Sequence, residues 1–122
     1  MFIRFVVGGK DEHHKLLTGI VTEARLLRER GDLSVYEEEL LEETYAWLNS
    51  YLPCPPFATS GWSRDAVTWF KHSALESIKK MRILADLLEQ HGAPVRMLRS
   101  KNPVKILYED EYQVVVEEWK SI

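Results

Sequence analysis

The order of strand-like and helix-like segments is the feature that most restricts how this chain can fold. Residues 2–7 are aromatic and β-branched and end at two glycines, as expected of a strand that runs into a turn. Three more strand-like runs lie close together near the other end, at 95–99, 104–109 and 112–119. Parallel strands need a long crossover connection, so short connections between these runs favour antiparallel pairing.

Three helices are predicted between the first strand and the last three, from the spacing of apolar residues. The first covers residues 12–30. The second begins at Ser34, which stands three residues before Glu37 in the spacing of a capping box, and it ends before Pro53. The third is predicted over residues 63–91, because apolar side chains recur there every three or four positions, at Val67, Phe70, Ala74, Ile78, Met81, Ala85 and Leu88.

These elements predict an α+β fold in the order β-α-α-α-β-β-β. We expect a mainly antiparallel four-stranded sheet, with three helices on one face and the last three strands forming a meander joined by the first. The chain has 122 residues, of which 45% are apolar and 29% are charged. That size is enough for one core without a disulfide or a metal. Residues 1–122 are therefore predicted to form a single globular domain.

Cysteine and histidine usage gives little indication of a cofactor. Cys54 is the only cysteine, so it cannot form an internal disulfide, and no Cys or His spacing is typical of zinc. We therefore expect no cofactor and no metal. The apolar run at the start is broken by Arg4 and is too short for a signal peptide, and no run approaches the ~20 apolar residues of a membrane helix. These features predict a cytoplasmic protein that does not span a membrane.

Charge is distributed unevenly along the chain. Residues 32–60 carry six acidic and no basic side chains, whereas residues 79–105 carry seven basic and two acidic ones. A basic cluster is the feature that nucleic-acid binding would require, and its candidates are Arg96, Arg99, Lys101 and Lys105. The net charge of -3 and the lack of a recognised nucleic-acid-binding motif argue against that function.

A proline-rich loop with aromatic residues is the first candidate site. Cys54 and Phe57 lie in it, Trp62 lies at its end, and Trp69 follows shortly after. Large aromatic side chains of this kind pack a loop onto a core or line a shallow pocket, and both interpretations stay open. No sequence spacing links Cys54 to a histidine base, so no catalytic residue is predicted.

Strand alternation suggests the second candidate site. If the odd residues of the first strand face the helices, strict alternation through the later strands gives the opposite face an apolar stripe of Val6, Leu98, Leu107 and Val115. Charges of both signs flank this stripe, as expected of a self-complementary interface. We therefore predict a homodimer.

Three function classes follow from these features. The first is a homodimeric protein-interaction or regulatory module without catalysis. The alternative is a small-molecule-binding domain or enzyme that uses an aromatic pocket around Cys54, Phe57, Trp62 and Trp69. The third is a nucleic-acid-associated protein, which the charge balance disfavours.

Overall fold

The computed structural model describes residues 1–8, 18–62, 66–101 and 105–117. Within these ranges the chain is α+β, as the sequence predicts, with three helices and one antiparallel sheet. The predicted start of the first helix at residue 12 and the end of the last strand at residue 119 lie outside the described residues. The first helix was predicted over residues 12–30, but Thr18–Gly19 form a short strand and the helix begins at Ile20. The elements are β1 (Phe2–Val7), β2 (Thr18–Gly19), α1 (Ile20–Glu29), α2 (Val35–Tyr51), β3 (Ala66–Lys71), α3 (Leu75–Gln90), β4 (Val95–Ser100), β5 (Ile106–Glu109) and β6 (Gln113–Glu117).

The sheet has five main strands in the order β4-β1-β3-β6-β5, where four were predicted. The two-residue strand β2 pairs with the end of β1 on the same side as β3. The predicted meander is wrong in its order, because β4 pairs with β1 along its whole length, from Val95 opposite Val7 to Ser100 opposite Phe2. Strands β5 and β6 form the predicted hairpin, but β3 lies between β6 and β1.

The segment predicted as the third helix is a strand followed by a shorter helix, and this is the largest correction to the prediction. Residues Ala66–Lys71 form strand β3, and the helix begins only at Leu75. The segment Ala-Val-Thr-Trp-Phe is rich in β-branched and aromatic residues, which suit a strand with neighbours on both sides. Here those neighbours are β1 and β6.

The start of α2 has the predicted capping box. The Ser34 hydroxyl accepts a hydrogen bond from the Glu37 amide at 3.2 Å, and the Glu37 carboxylate accepts one from the Ser34 amide at 3.0 Å. The second oxygen of that carboxylate lies 2.9 Å from Nε2 of His91, just beyond the end of α3. The backbone hydrogen bond from Ser34 and the contact with His91 lower the pKa of Glu37.

The main core lies between the three helices and one face of the sheet. Helix α3 packs against both α1 and α2, and Leu41 of α2 and Leu84 of α3 are fully buried. Phe5 and Phe70 face this core from the sheet. Both rings lie on the same face of the sheet. Phe70 pairs with Ile3, and Ile3 is two residues from Phe5, so all three side chains point to the same side.

The alternation predicted for β6 is also corrected. Val115 lies opposite Thr68, whose neighbour two residues along is Phe70, so Val115 belongs to the helix-facing side. Val114 and Val116 therefore face the other side. A register shift between Ile106 and Tyr108 changes the alternation of β5 as well.

Candidate functional site

A groove of about 470 Å³ lies between α1, α2 and the helix-facing side of the sheet, and we call it the central groove. Its floor consists of strand residues and its walls of helix residues, with a proline-rich loop at one end. The floor residues include Phe5, Thr68, Phe70 and Gln113, the wall residues include Ile20, Val21, Tyr45 and Leu48, and the loop contributes Pro53, Cys54, Pro55 and Phe57.

The groove follows from how the helices are arranged. Helix α3 packs against both α1 and α2, and the floor between those two helices includes the small side chains of Ala66 and Thr68. Gly19, at the N-terminal cap of α1, also adds no side chain there. The Tyr45 hydroxyl spans the gap and donates a hydrogen bond to the Val21 carbonyl at 2.9 Å. Burial raises the pKa of Tyr45, and the positive charge of Arg28 opposes this only in part.

The loop at the end of the groove is fixed by a buried glutamine. Gln113 is 2% exposed, and its side-chain amide donates to the Pro53 carbonyl at 2.6 Å and to an Asp110 carboxylate oxygen at 2.9 Å. Prolines restrict the backbone of this loop, so few contacts are needed to hold it in one conformation. The loop therefore forms a preformed wall of the groove.

Asp110 connects this loop to the β5-β6 hairpin. Its carboxylate accepts hydrogen bonds from the backbone amides of Tyr112 and Gln113, at 2.8 and 3.1 Å, and from the Tyr108 hydroxyl at 2.8 Å. Burial opposes ionisation, but the hydrogen bonds from Gln113, Tyr112 and Tyr108 outweigh it and lower the pKa of Asp110. The bond to Asp110 is the main cause of a raised pKa at Tyr108. A charged Asp110 thus orders the turn.

Only part of the predicted aromatic site is brought together at this groove. Cys54 and Phe57 line it. Trp62 packs edge-on against Phe57, with ring centroids 5.5 Å apart, and also lies 6.3 Å from the ring of Tyr108. Trp69 pairs with Val114 on β6, so its side chain lies on the other face of the sheet.

The four residues of the predicted dimer stripe do not share one face. Val6 and Leu98 lie on the side away from the helices, whereas Val115 lies on the helix-facing side. Val6 and Val115 are fully buried within one chain, while Leu98 and Leu107 are half-buried. The homodimer stays a prediction, and the only surface of the stripe that could serve it comes from Leu98 and Leu107.

The predicted basic cluster is also dispersed. Arg96 pairs with Val6 and Arg99 pairs with Ile3, so these two arginines project from opposite faces of the sheet. The Lys105 ammonium lies 2.5 Å from the Glu117 carboxylate. The chain therefore does not present these charges as one basic surface.

The Cys54 thiol and the described histidines are not brought together at the groove. Cys54 is exposed, and its thiol lies 3.6 Å from the Pro55 carbonyl. His72 contacts the Met1 carbonyl and His91 contacts Glu37, so neither of these histidines is paired with the thiol. Across the described ranges, no group of three or more His, Cys, Asp or Glu side chains is placed to hold a metal ion.

Sequence reasoning missed the two polar residues that organise this site, Gln113 and Asp110. Asp110 lies in the short connection between the last two strand-like runs, where an aspartate commonly accepts hydrogen bonds from the backbone amides that follow it. Gln113 stands before three valines, and its burial depends on a loop sixty residues away in sequence. No local pattern could have shown that contact.

Comparison with protein-family models, curated proteins and solved structures finds no match to this chain. In the part of the chain that the structure describes, no helix has the length and apolar character that crossing a membrane requires. The chemistry of the groove is therefore the basis for assigning a function.

Proposed function

We propose that this protein is a small-molecule-binding domain that takes an uncharged, largely apolar ligand in the central groove. The observation that carries the proposal is the groove's composition: its floor and walls are mainly apolar, and none of the described residues that line it is acidic. Its volume of about 470 Å³ falls within the range of ligand pockets, which is roughly 300–1,000 Å³.

Three of the polar side chains that line the groove, those of Tyr45, Gln113 and Arg4, already have partners within the chain. The Tyr45 hydroxyl is bonded to Val21, and the Gln113 amide is bonded to Pro53 and Asp110. Arg4 borders the groove but is 7% exposed and has a partner of its own. A charged ligand would lose its hydration without gaining an opposite charge, which is costly, so an uncharged ligand is favoured.

The frame of the groove also supports binding. Phe5 and Phe70 belong to the main core, and the proline-rich loop is fixed to β6 through Gln113. A ligand that enters a preformed groove pays little for ordering the protein. The alternative of an enzyme has no comparable support, because the Cys54 thiol has no partnered base among the described residues.

The test is a fluorescence titration with N-phenyl-1-naphthylamine, a neutral apolar probe. Thr68→Phe should fill the floor of the groove and abolish the enhancement of probe fluorescence. Gly19→Leu should weaken it independently, because a Cβ at Gly19 meets no atom within 4 Å and its backbone is one that any residue adopts. Thr22→Phe places the same ring on the exposed side of α1 and should leave the titration unchanged.

Melting curves followed by circular dichroism establish that each variant is folded. If folded Thr68→Phe and Gly19→Leu proteins bind the probe as tightly as the original chain, the central groove is not the site. If the original chain gives no saturable enhancement, the proposed ligand class is wrong.

A further inference from the structure

The described part of the sheet ends in β4 on one side and in β5 on the other, and the two edges differ. Strand β5 has four residues and a register shift between Ile106 and Tyr108, and short or bulged strands resist pairing with another chain. Strand β4 has six residues and pairs with β1 without a shift. Strand β4 therefore presents a regular edge that a further strand could extend.

The backbone hydrogen bonds of β1 show which residues of β4 face this edge. The Gly8 amide donates to the Pro94 carbonyl at 3.1 Å, directly before β4 begins. Bonded and non-bonded pairs alternate along antiparallel strands, so the even-numbered residues of β4 direct their backbone groups toward β1 and the odd-numbered ones direct them away. On the other side of β1, the His72 amide donates to the Met1 carbonyl at 3.1 Å, which fits the same alternation.

Three residues of β4 thus direct their backbone groups outward: Val95, Met97 and Arg99. The Val95 amide is already bonded to the Ala93 carbonyl at 3.0 Å. The amides of Met97 and Arg99 have no acceptor among the described residues, and the carbonyls of all three have no donor there. A row of free donors and acceptors of this kind is what an added strand pairs with.

The charge along this edge favours an acidic partner. Arg96, Arg99 and Lys101 are exposed, none of them forms an ion pair with another described residue, and residues 95–101 include no acidic side chain. Arg96 and Arg99 project from opposite faces, but the side chains of an added strand alternate in the same way and can meet both. A second copy of β4 would add two more arginines to the edge, which is unfavourable.

A cleft beside β4 restricts the partner further. It has a volume of about 280 Å³ and lies between β4 and α3; its lining includes the apolar residues Phe5, Val95 and Met97 and the charged residues Arg82, Asp86 and Glu89. The Arg82 guanidinium lies 5.8 Å from the centre of the Phe5 ring, and its Nη2 lies 3.7 Å from the Met97 sulfur. The two carboxylates of α3 disfavour an acid in this cleft. The partner residue opposite Met97 should therefore be apolar.

We propose that the edge of β4 binds an extended acidic segment of a partner protein, which adds to the sheet as an antiparallel strand. Its acidic residues lie opposite Arg96 and Arg99, with apolar residues between them. Of the described residues, only Phe5 lines both the cleft and the central groove, so this interaction goes beyond the proposed function and can fail independently of it.

The experiment uses a fluorescein-labelled peptide with the sequence Thr-Glu-Val-Val-Glu-Val between Gly-Ser flanks. In antiparallel pairing, its two glutamates lie opposite Arg99 and Arg96. Fluorescence anisotropy measures the affinity, and NMR shifts of the Met97 and Arg99 amides locate the binding. The same peptide with lysine in place of both glutamates should bind about ten-fold more weakly, because like charges then face each other across the strands.

Two N-methylated peptides separate strand addition from attraction between charges. Methyl groups on the second and fourth residues block the amides that face Arg99 and Met97, and should abolish binding. Methyl groups on the third and fifth residues block amides that point away from β4, and should leave binding nearly unchanged. Both peptides have the same charge and composition, and both are tested on the original chain.

Variants of the protein test the charges. Arg96→Glu combined with Arg99→Glu should reverse the preference, so that the lysine peptide binds about ten-fold more tightly than the glutamate peptide. Both side chains are exposed, so the protein should fold, and circular dichroism establishes this. Arg25→Glu combined with Arg30→Glu is the control, because it reverses two exposed arginines of α1 and its C-terminal cap that do not line the cleft.

Several results would overturn the inference. One is an absence of saturable binding and of shifts at Met97 and Arg99 with the glutamate peptide, and another is equal binding of the two N-methylated peptides. An unchanged preference in the folded double variant would exclude the arginines. Equally tight binding of an eight-residue oligothymidylate would indicate a nucleic acid, and shifts of these amides with protein concentration alone would indicate a second copy. Binding of N-phenyl-1-naphthylamine should be the same in the double variant and the original chain.

Discussion

The central groove and a second pocket both border α2, yet they differ in how their polar groups are satisfied. This second pocket, which we call the lateral pocket, has a volume of about 320 Å³ and is lined by Trp47, Tyr51, residues 73–77 and Tyr112. In the central groove, the Tyr45 hydroxyl and the Gln113 amide bond to other parts of the chain. In the lateral pocket, the backbone amides of Glu76 and Ser77 have no acceptor among the described residues, as is usual in the first turn of a helix. The difference shows that pocket volume alone does not define a ligand. The state of the polar atoms defines which ligand fits.

The largest expected effect tests whether the residues that line the central groove contribute more to the hydrophobic core than those that line the lateral pocket. Phe70 lies on the floor of the central groove and is buried in the main core, whereas Leu75 borders the lateral pocket and is mostly exposed. We expect Phe70→Ala to lower the free energy of unfolding by about 3 to 5 kcal/mol, because it removes a buried ring. Leu75→Ala should change it by less than about 0.5 kcal/mol.

Urea unfolding followed by circular dichroism measures both values. A loss below about 1 kcal/mol in Phe70→Ala would mean that the groove floor is not part of the core. A large loss in Leu75→Ala would mean that the lateral pocket is structural, and the contrast between the two pockets would then disappear.

The strand that carries Phe70 shows where sequence reasoning reaches its limit. Val67, Phe70 and Ala74 have helical spacing, and the same spacing continues through the true helix α3. Apolar periodicity alone therefore predicts one helix that includes both segments. The β-branched and aromatic run favoured a strand, but the decision rests on pairing with β1 and β6, which are distant in sequence. Long-range pairing of this kind leaves no local signal.

Local chemistry, by contrast, was predictable. The capping box of Ser34 and Glu37 fixed the start of α2 to the residue, because both hydrogen bonds lie within one turn. Which valines of β6 face the helices was not predictable, since three consecutive valines show no alternation of apolar and polar residues. The pairing of Val115 with Thr68 on β3 determines which side each valine faces. The lateral pocket has the same difficulty, because Trp47, Ser77 and Tyr112 come from three separate elements.

A smaller effect tests the hydrogen bonds that satisfy the central groove. Asp110 accepts bonds from Tyr108, Tyr112 and Gln113, and these hold its pKa below the ordinary value of 3.8. A carboxylate with a lowered folded pKa stabilises the protein above its unfolded pKa, and the stabilisation is lost as the pH falls through the folded value. We expect Asp110→Asn to cost about 1 kcal/mol at neutral pH, allowing for solvent screening.

Thermal melts from neutral pH to about pH 2.5 provide the measurement. The difference between Asp110→Asn and the original chain should be constant above about pH 5 and should narrow below the ordinary pKa of 3.8, since the original chain then loses the same charge. Asp86→Asn, at an exposed position of α3, is the control and should show little difference at neutral pH. A gap that persists undiminished in acid would show that the charge of Asp110 does not order the turn.

The smallest expected effect sharpens the contrast from the lateral side, through the acidic residue nearest its free amides. Glu76 lies in the first turn of α3, where its negative charge stabilises the helix. Glu76→Gln should therefore lower the free energy of unfolding by about 0.3 to 1 kcal/mol. The same substitution should leave N-phenyl-1-naphthylamine binding unchanged, because Glu76 does not line the central groove.

Glu39→Gln removes an equal charge from an exposed position of α2 outside the lateral pocket and separates the local effect from that of net charge. Raising the salt concentration should shrink the loss of stability caused by Glu76→Gln, since screening weakens the interaction between the Glu76 carboxylate and the helix dipole. If Glu76→Gln is as stable as the original chain, the negative charge does not act on the free amides at the start of α3, and the contrast between the two pockets would need a different explanation.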